Sequence, residues 1–276
     1  MRFRLVEPCC GSAALTFHLL GAKRSSVPYQ GSKWRLRNAI AEAMMIKEPP
    51  SAVELSDIGP WGITAAALLD PVIRECVMVE LEEMSEADPY LIYEQTNKSR
   101  ADPSNIVMYA AQHLFLQRLA FSGKAVTDKS GFWSSPGFNK TSAYGKQATD
   151  KFGEIRPMVP SMIEAIKSYD TLLHPGQIIG SKKCATASPY QSYFSGKTIV
   201  YIDPPYRSTT GYSTKFGRES VVNLAKSWSE KGASVYVSES EPIKELCWPS
   251  VCLTKKKSDG SPFKGKHSEW LTFFQN

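Results

Sequence analysis

The chain has 276 residues and a mass of 30.6 kDa, of which 42% are apolar, 11% aromatic and 22% charged. This composition suits one large domain, or a core with one inserted lobe, and excludes wholesale disorder. The net charge is +6, yet residues 51–90 carry nine acidic side chains and one basic one while the remaining stretches are basic, which fits a protein that meets a polyanion on one face or an ordinary solvated surface.

Apolar runs of strand length appear at 3–6, 52–55, 76–79, 198–202, 234–237 and 270–274. Helical patterns fall between them at 12–20, 32–46, 63–69, 219–231 and 242–246. Strands alternating with helices predict an α/β fold with a mostly parallel sheet covered on both faces. Residues 91–195 break the alternation, with helices at 105–120 and 160–169 around a Gly/Ser/Lys-rich middle. The expected division is a core of residues 1–90 and 196–276, with 91–195 as an inserted, mainly helical lobe outside the sheet. No apolar stretch is long enough to span a membrane and the start of the chain has no signal-peptide pattern, so a cytoplasmic protein is expected. The cysteines at 9, 10, 76, 184, 247 and 252 and the four histidines lack zinc-type spacing. No metal is expected, and the thiols read as reduced and buried.

The strongest local signal is Asp203-Pro204-Pro205-Tyr206, directly after the apolar run 198–202. Two prolines end the strand and fix the backbone. The Pro204 carbonyl is expected to lie beside the Asp203 carboxylate, two acceptors matching the two donors of an exocyclic amino group. Tyr206 offers a face on which a base can stack. A rigid turn with a capping aspartate is the plainer reading. The tetrapeptide resembles the motif of the Dam-like, alpha-type family of DNA adenine-N6 methyltransferases, in a phage- or prophage-type form. The resemblance implies catalytic roles for Asp203, Pro204, Pro205 and Tyr206: the aspartate and first proline carbonyl hold the target amine and the aromatic stacks on the flipped base. It also implies a Rossmann-like class I sheet with a target-recognition insert, S-adenosylmethionine as cofactor, and duplex DNA as partner. A monomer or weak dimer in the cytoplasm of a bacterial or phage-infected cell is expected, with restriction-modification as a setting. An RNA adenine-N6 or DNA cytosine-N4 methyltransferase is the alternative, as is a non-catalytic DNA-binding protein on a decayed methyltransferase fold.

The small-residue turn Glu7-Pro8-Cys9-Cys10-Gly11-Ser12 resembles the family's Glu-Pro-Phe-x-Gly-Ser-Gly motif, with Cys9 in place of the aromatic and Ala13 in place of the last glycine. Val27-Pro-Tyr29-Gln-Gly-Ser-Lys33 resembles its Pro-Tyr/Phe-x-Gly-Gly-Lys motif. The resemblance therefore implies cofactor contacts at Glu7, Pro8, Cys9, Gly11, Ser12, Tyr29 and Lys33, with Asp203 touching the cofactor as well. In the family the lysine element precedes the glycine turn; here it follows, which predicts a local permutation. An acidic acceptor for the ribose is expected at the end of the second strand. Asp57 fits once the inserted helical element at 23–48 is discounted; Glu80 is the runner-up, and plain helix capping by Asp57 remains a third reading. Trp61 reads as a wall of the adenine pocket or as core. Residues 118–151 hold six basic and two acidic side chains among aromatics, which points to Lys124, Lys129, Lys140 and Lys146 as phosphate contacts.

Overall fold

The computed structural model describes residues 2–26, 32–120, 126–127, 133–135, 137–139, 158–170, 173–183, 185, 196–205, 216–254 and 268–276. In chain order the elements are β1 (Phe3–Glu7), α1 (Ala14–Leu19), α2 (Arg37–Ala43), β2 (Ala52–Asp57), α3 (Trp61–Leu69), α4 (Pro71–Glu86), α5 (Pro89–Lys98) and α6 (Ile106–Leu119). There follow a short ribbon of β3 (Val126–Thr127) and β4 (Trp133–Ser135), then α7 (Met158–Lys167), β5 (Ile178–Lys182), β6 (Lys197–Ile202), α8 (Arg218–Glu230), β7 (Ser234–Glu239), β8 (Ser250–Cys252) and β9 (Trp270–Phe274).

Seven strands form one sheet in the order β5-β2-β1-β6-β7-β9-β8, with β9 antiparallel to both its neighbours and the other pairings parallel. Counted by strand along the chain, this is 3-2-1-4-5-7-6, a Rossmann-like class I sheet. The central strand β1 is buried along its whole length. Phe3 and Leu5 face a large core shared with α1–α7, while Val6 faces a smaller one built on α8. From β1 the chain moves through β2 to β5 on one side, and then returns to β6 on the other. The crevice at the carboxyl ends of β1 and β6 is thus the sheet's switch point, where open α/β sheets bind ligands.

Two expectations fail here for definable reasons. Residues 76–79 are helical, inside α4. Asp70 caps that helix by accepting from Val72 N at 2.9 Å and Ile73 N at 3.1 Å, with Pro71 in the first turn. Val77, Met78 and Leu81 are buried at helical spacing while Val79 is exposed, so the run is one face of a helix and not a strand. Glu80 therefore lies in mid-helix and not at a strand end.

Nor does all of 91–195 stand outside the sheet. β5 is its edge strand, and Leu114, Phe115, Leu116 and Leu119 of α6 join the main core instead of a separate one. Gly62 explains how closely α3 lies on the sheet: a Cβ there would be 2.2 Å from Ser181 O and 2.9 Å from Leu55 O. Phe138 packs against Tyr90 and Tyr93, with ring centroids 5.3 and 5.2 Å away, so it is tied to α5.

Of the five described cysteines all are free thiols, but only Cys10 is buried, and Cys76 and Cys247 are exposed. Among the described cysteines, the expectation of buried thiols holds only at Cys10. Among the described residues, no helix is long and apolar enough to cross a membrane.

Candidate active site

The turn after β1 is built from backbone that departs from helix and strand alike. Gly11 has φ +47° and Ala13 φ +46°, both left-handed. Glycine takes that conformation without strain, and alanine takes it at a cost. Here Ala13 N donates to Cys10 O, and Cys10 N donates to Ser56 O at 3.0 Å, which pins the turn to β2. Glu7, at the end of β1, is fully buried and accepts from both the backbone N and the hydroxyl of Thr16 in α1. Burial pushes its carboxyl up to about 7, against those hydrogen bonds, and the nearby negative charge of Asp203 adds to the shift.

Asp57 ends β2, as expected from the sequence, and braces the same turn. Its Oδ2 accepts from Gly11 N at 3.1 Å and its Oδ1 from Gly59 N at 2.7 Å. Burial raises its pKa and these two N–H groups lower it. Each carboxylate oxygen has two acceptor sites, so both retain capacity for a ligand hydroxyl. Ser12 and Ser32 hydroxyls lie 2.9 Å apart, and Ser32 also accepts from Trp34 N, capping a short 3-10 turn at Lys33–Arg35. The lysine element thus sits against the glycine turn although it follows it in the chain.

Asp203 leaves β6 at the switch point, followed by a buried Pro204 and a half-buried Pro205. Its Oδ1 is 2.8 Å from Lys33 Nζ, and Glu269 Oε1 is 3.8 Å from the same ammonium. The Lys33 and Glu269 side chains are 8% and 10% exposed and that of Asp203 is 21%, so a buried cation is shared by one buried and one half-buried carboxylate. Below it, Tyr201 on β6 hydrogen-bonds Ser238 on β7 at 2.8 Å. Burial, followed by the charge of Asp203, pushes its phenol well up, and the charges of Glu269 and Glu7 add to this.

The structure therefore brings together Glu7, Gly11, Ser12, Lys33, Asp57 and Asp203, with Pro8 and Cys9 in the same turn. Trp61 is buried in the main core. Tyr29, Tyr206, Lys124, Lys129, Lys140 and Lys146 lie outside the described residues. Glu269 was missed: only its chain neighbours, on the short lead into β9, carried a signal, and that signal was for a strand.

No family model matches the chain, and no curated protein matches it. Among solved structures it is similar to the rRNA methyltransferase AviRa from Streptomyces viridochromogenes. The two are 14% identical, the match covers 99% of this chain and 76% of that one, and the TM-score is 0.35.

What the group can do follows from its charges. Asp57, Asp203 and Glu269 line one end of the sheet with Lys33 among them, and Glu7 adds a fourth carboxyl, whose pKa burial pushes up to about 7. A site of that sign favours a positively charged ligand.

Proposed function

We propose that this protein is an S-adenosylmethionine-dependent methyltransferase acting on the N6 amino group of adenine in DNA. The observation that carries the reading is the meeting of two motifs at the switch point. The glycine turn, braced by Asp57, and the Asp-Pro-Pro turn, joined to it through Lys33, form one site.

The residues fit the cofactor chemically. Asp57 offers its carboxylate to the ribose hydroxyls from the end of β2. Glu7, Pro8, Cys9, Gly11 and Ser12 shape the turn, and Tyr29 and Lys33 contact the methionine end. S-adenosylmethionine, when bound, supplies a methyl group on a sulfonium.

Asp203 and the Pro204 carbonyl accept the two N–H bonds of the target amine, while Pro205 stiffens the turn and Tyr206 stacks on the flipped base. The amino lone pair is otherwise delocalised into the ring, so these hydrogen bonds favour a pyramidal nitrogen aligned for attack. Transfer of that methyl would leave the cofactor as a neutral thioether, with the surplus amine proton released to solvent. Lys124, Lys129, Lys140 and Lys146 meet the phosphates of the duplex, in the target-recognition segment of residues 118–151.

Two measurements test this. Asp57→Ala is expected to weaken S-adenosylmethionine binding by about 1.5–3 kcal/mol, the scale of a hydrogen bond to a charged group, whereas Glu80→Ala leaves it unchanged. Titration calorimetry reads both, and a silent Asp57→Ala contradicts the cofactor assignment. Duplex affinity should fall with salt by a log–log slope of about −0.9 per neutralised phosphate. Replacing Lys140 and Lys146 together by alanine should flatten that slope by up to about 2 while sparing cofactor binding. A protein that binds the cofactor but shows no salt-dependent affinity for duplex or single-stranded nucleic acid contradicts the DNA reading.

A further inference from the structure

Lys33 is held against Asp203 at 2.8 Å, on the carboxylate that the target amine must reach. Each carboxylate oxygen keeps a second acceptor site, but the ammonium charge draws electron density from Asp203 and weakens it as an acceptor for the amine. The ammonium cannot simply withdraw, because a buried ammonium without a carboxylate is strongly disfavoured. Glu269 supplies a second carboxylate, 3.8 Å from the same nitrogen and itself buried.

Glu269 is well fixed for that purpose. Its backbone N donates to Thr254 Oγ1 at 3.0 Å, and its carbonyl accepts from Leu253 N at 2.8 Å, at the base of the β8–β9 connection. The lysine backbone is fixed in turn by the 3-10 turn that Ser32 caps. Only the long lysine side chain has to move, and by about an ångström, to exchange one carboxylate for the other.

We infer that Glu269 is a positioning residue for methyl transfer: it draws the Lys33 ammonium off Asp203 when the target amine arrives. The inference rests on the methyltransferase reading above. Glu269 touches neither substrate nor reacting atoms. Its effect passes through Lys33, and that sets the test.

Glu269→Gln keeps the size of the side chain and the backbone hydrogen bonds but removes the charge, leaving Lys33 locked on Asp203. At saturating cofactor, the single-turnover rate of methyl transfer to duplex DNA should fall roughly tenfold, the size of one charge-assisted contact. In a Lys33→Met background, the same Glu269→Gln change should alter the rate by less than about twofold, because there is no ammonium left to draw away. Glu269→Asp, which keeps the charge on a shorter stem, should fall between wild type and Glu269→Gln.

Equal losses from Glu269→Gln in both backgrounds would mean a merely structural glutamate and would overturn the inference alone. Thermal melts of all five proteins separate that outcome from misfolding: loss of the folded transition on Glu269→Gln would likewise make the residue structural and overturn the inference. Absence of methyl transfer by the unsubstituted protein is a different failure. It removes the methyltransferase reading, and the inference goes with it.

Discussion

Replacing Asp203 by alanine is expected to slow methyl transfer at least about a hundredfold while leaving cofactor affinity nearly intact. The carboxylate sits at the end of β6, where Lys33 is 2.8 Å away and the glycine turn is one strand over. In the proposed reaction it accepts one of the two N–H bonds that make the amine nucleophilic, an interaction that strengthens as charge develops on nitrogen. Removing one such group from a preorganised site lowers kcat by about two to three orders of magnitude. Cofactor binding depends chiefly on the turn after β1 and on Asp57, which the substitution does not touch. Single-turnover rates and titration calorimetry on the same preparation separate the two effects. Near-normal turnover would remove Asp203 from the chemistry.

The second large effect concerns stability and pH. Glu7 is buried without a cationic partner among its described contacts, accepts only from Thr16, and has its carboxyl pushed from 4.5 up to about 7. Because the folded-state pKa is raised, Glu7 holds its proton in the native protein while the unfolded chain has released it. Its contribution to stability is therefore fully present below about pH 4.5 and is lost as pH rises through about 7. At about 1.4 kcal/mol per pH unit, the loss amounts to about 3 kcal/mol across that window. Glu7→Gln cannot ionise but still offers an oxygen to Thr16. Urea denaturation at stepped pH should show the wild type losing stability relative to the variant between about pH 4.5 and 7 and levelling off above that. Parallel stability curves for the two proteins would contradict the buried, proton-holding state of Glu7.

The sequence made the fold class and the ends of β2 and β6 legible, and particular residues show why. Asp57 was placed correctly because strand ends and turns are local features. Once the inserted helical element is discounted, its spacing from Gly11 matches a β-α-β unit, and Gly11 N does reach its carboxylate. Asp203 was legible because two prolines after a buried strand leave few conformations open. The failures lie where local pattern and tertiary context diverge. Residues 76–79 have strand composition, but the Asp70-Pro71 cap upstream and the buried spacing of Val77, Met78 and Leu81 make them helix. β5 was invisible because an edge strand half-exposed on both faces has neither an apolar run nor alternation, and its Gly180 is there for the close approach of α3. Glu269 carried no signal because its meaning comes from Lys33 and Asp203, which are distant in sequence and meet only across the folded sheet.

The decisive measurement is base-resolved sequencing of DNA from a methylation-free host that expresses this protein or its Asp203→Ala variant. N6-methyladenine in the first DNA and its absence from the second is the expected result. DNA without modified adenine in both, from a folded protein that binds S-adenosylmethionine in calorimetry, would contradict adenine in DNA as the substrate.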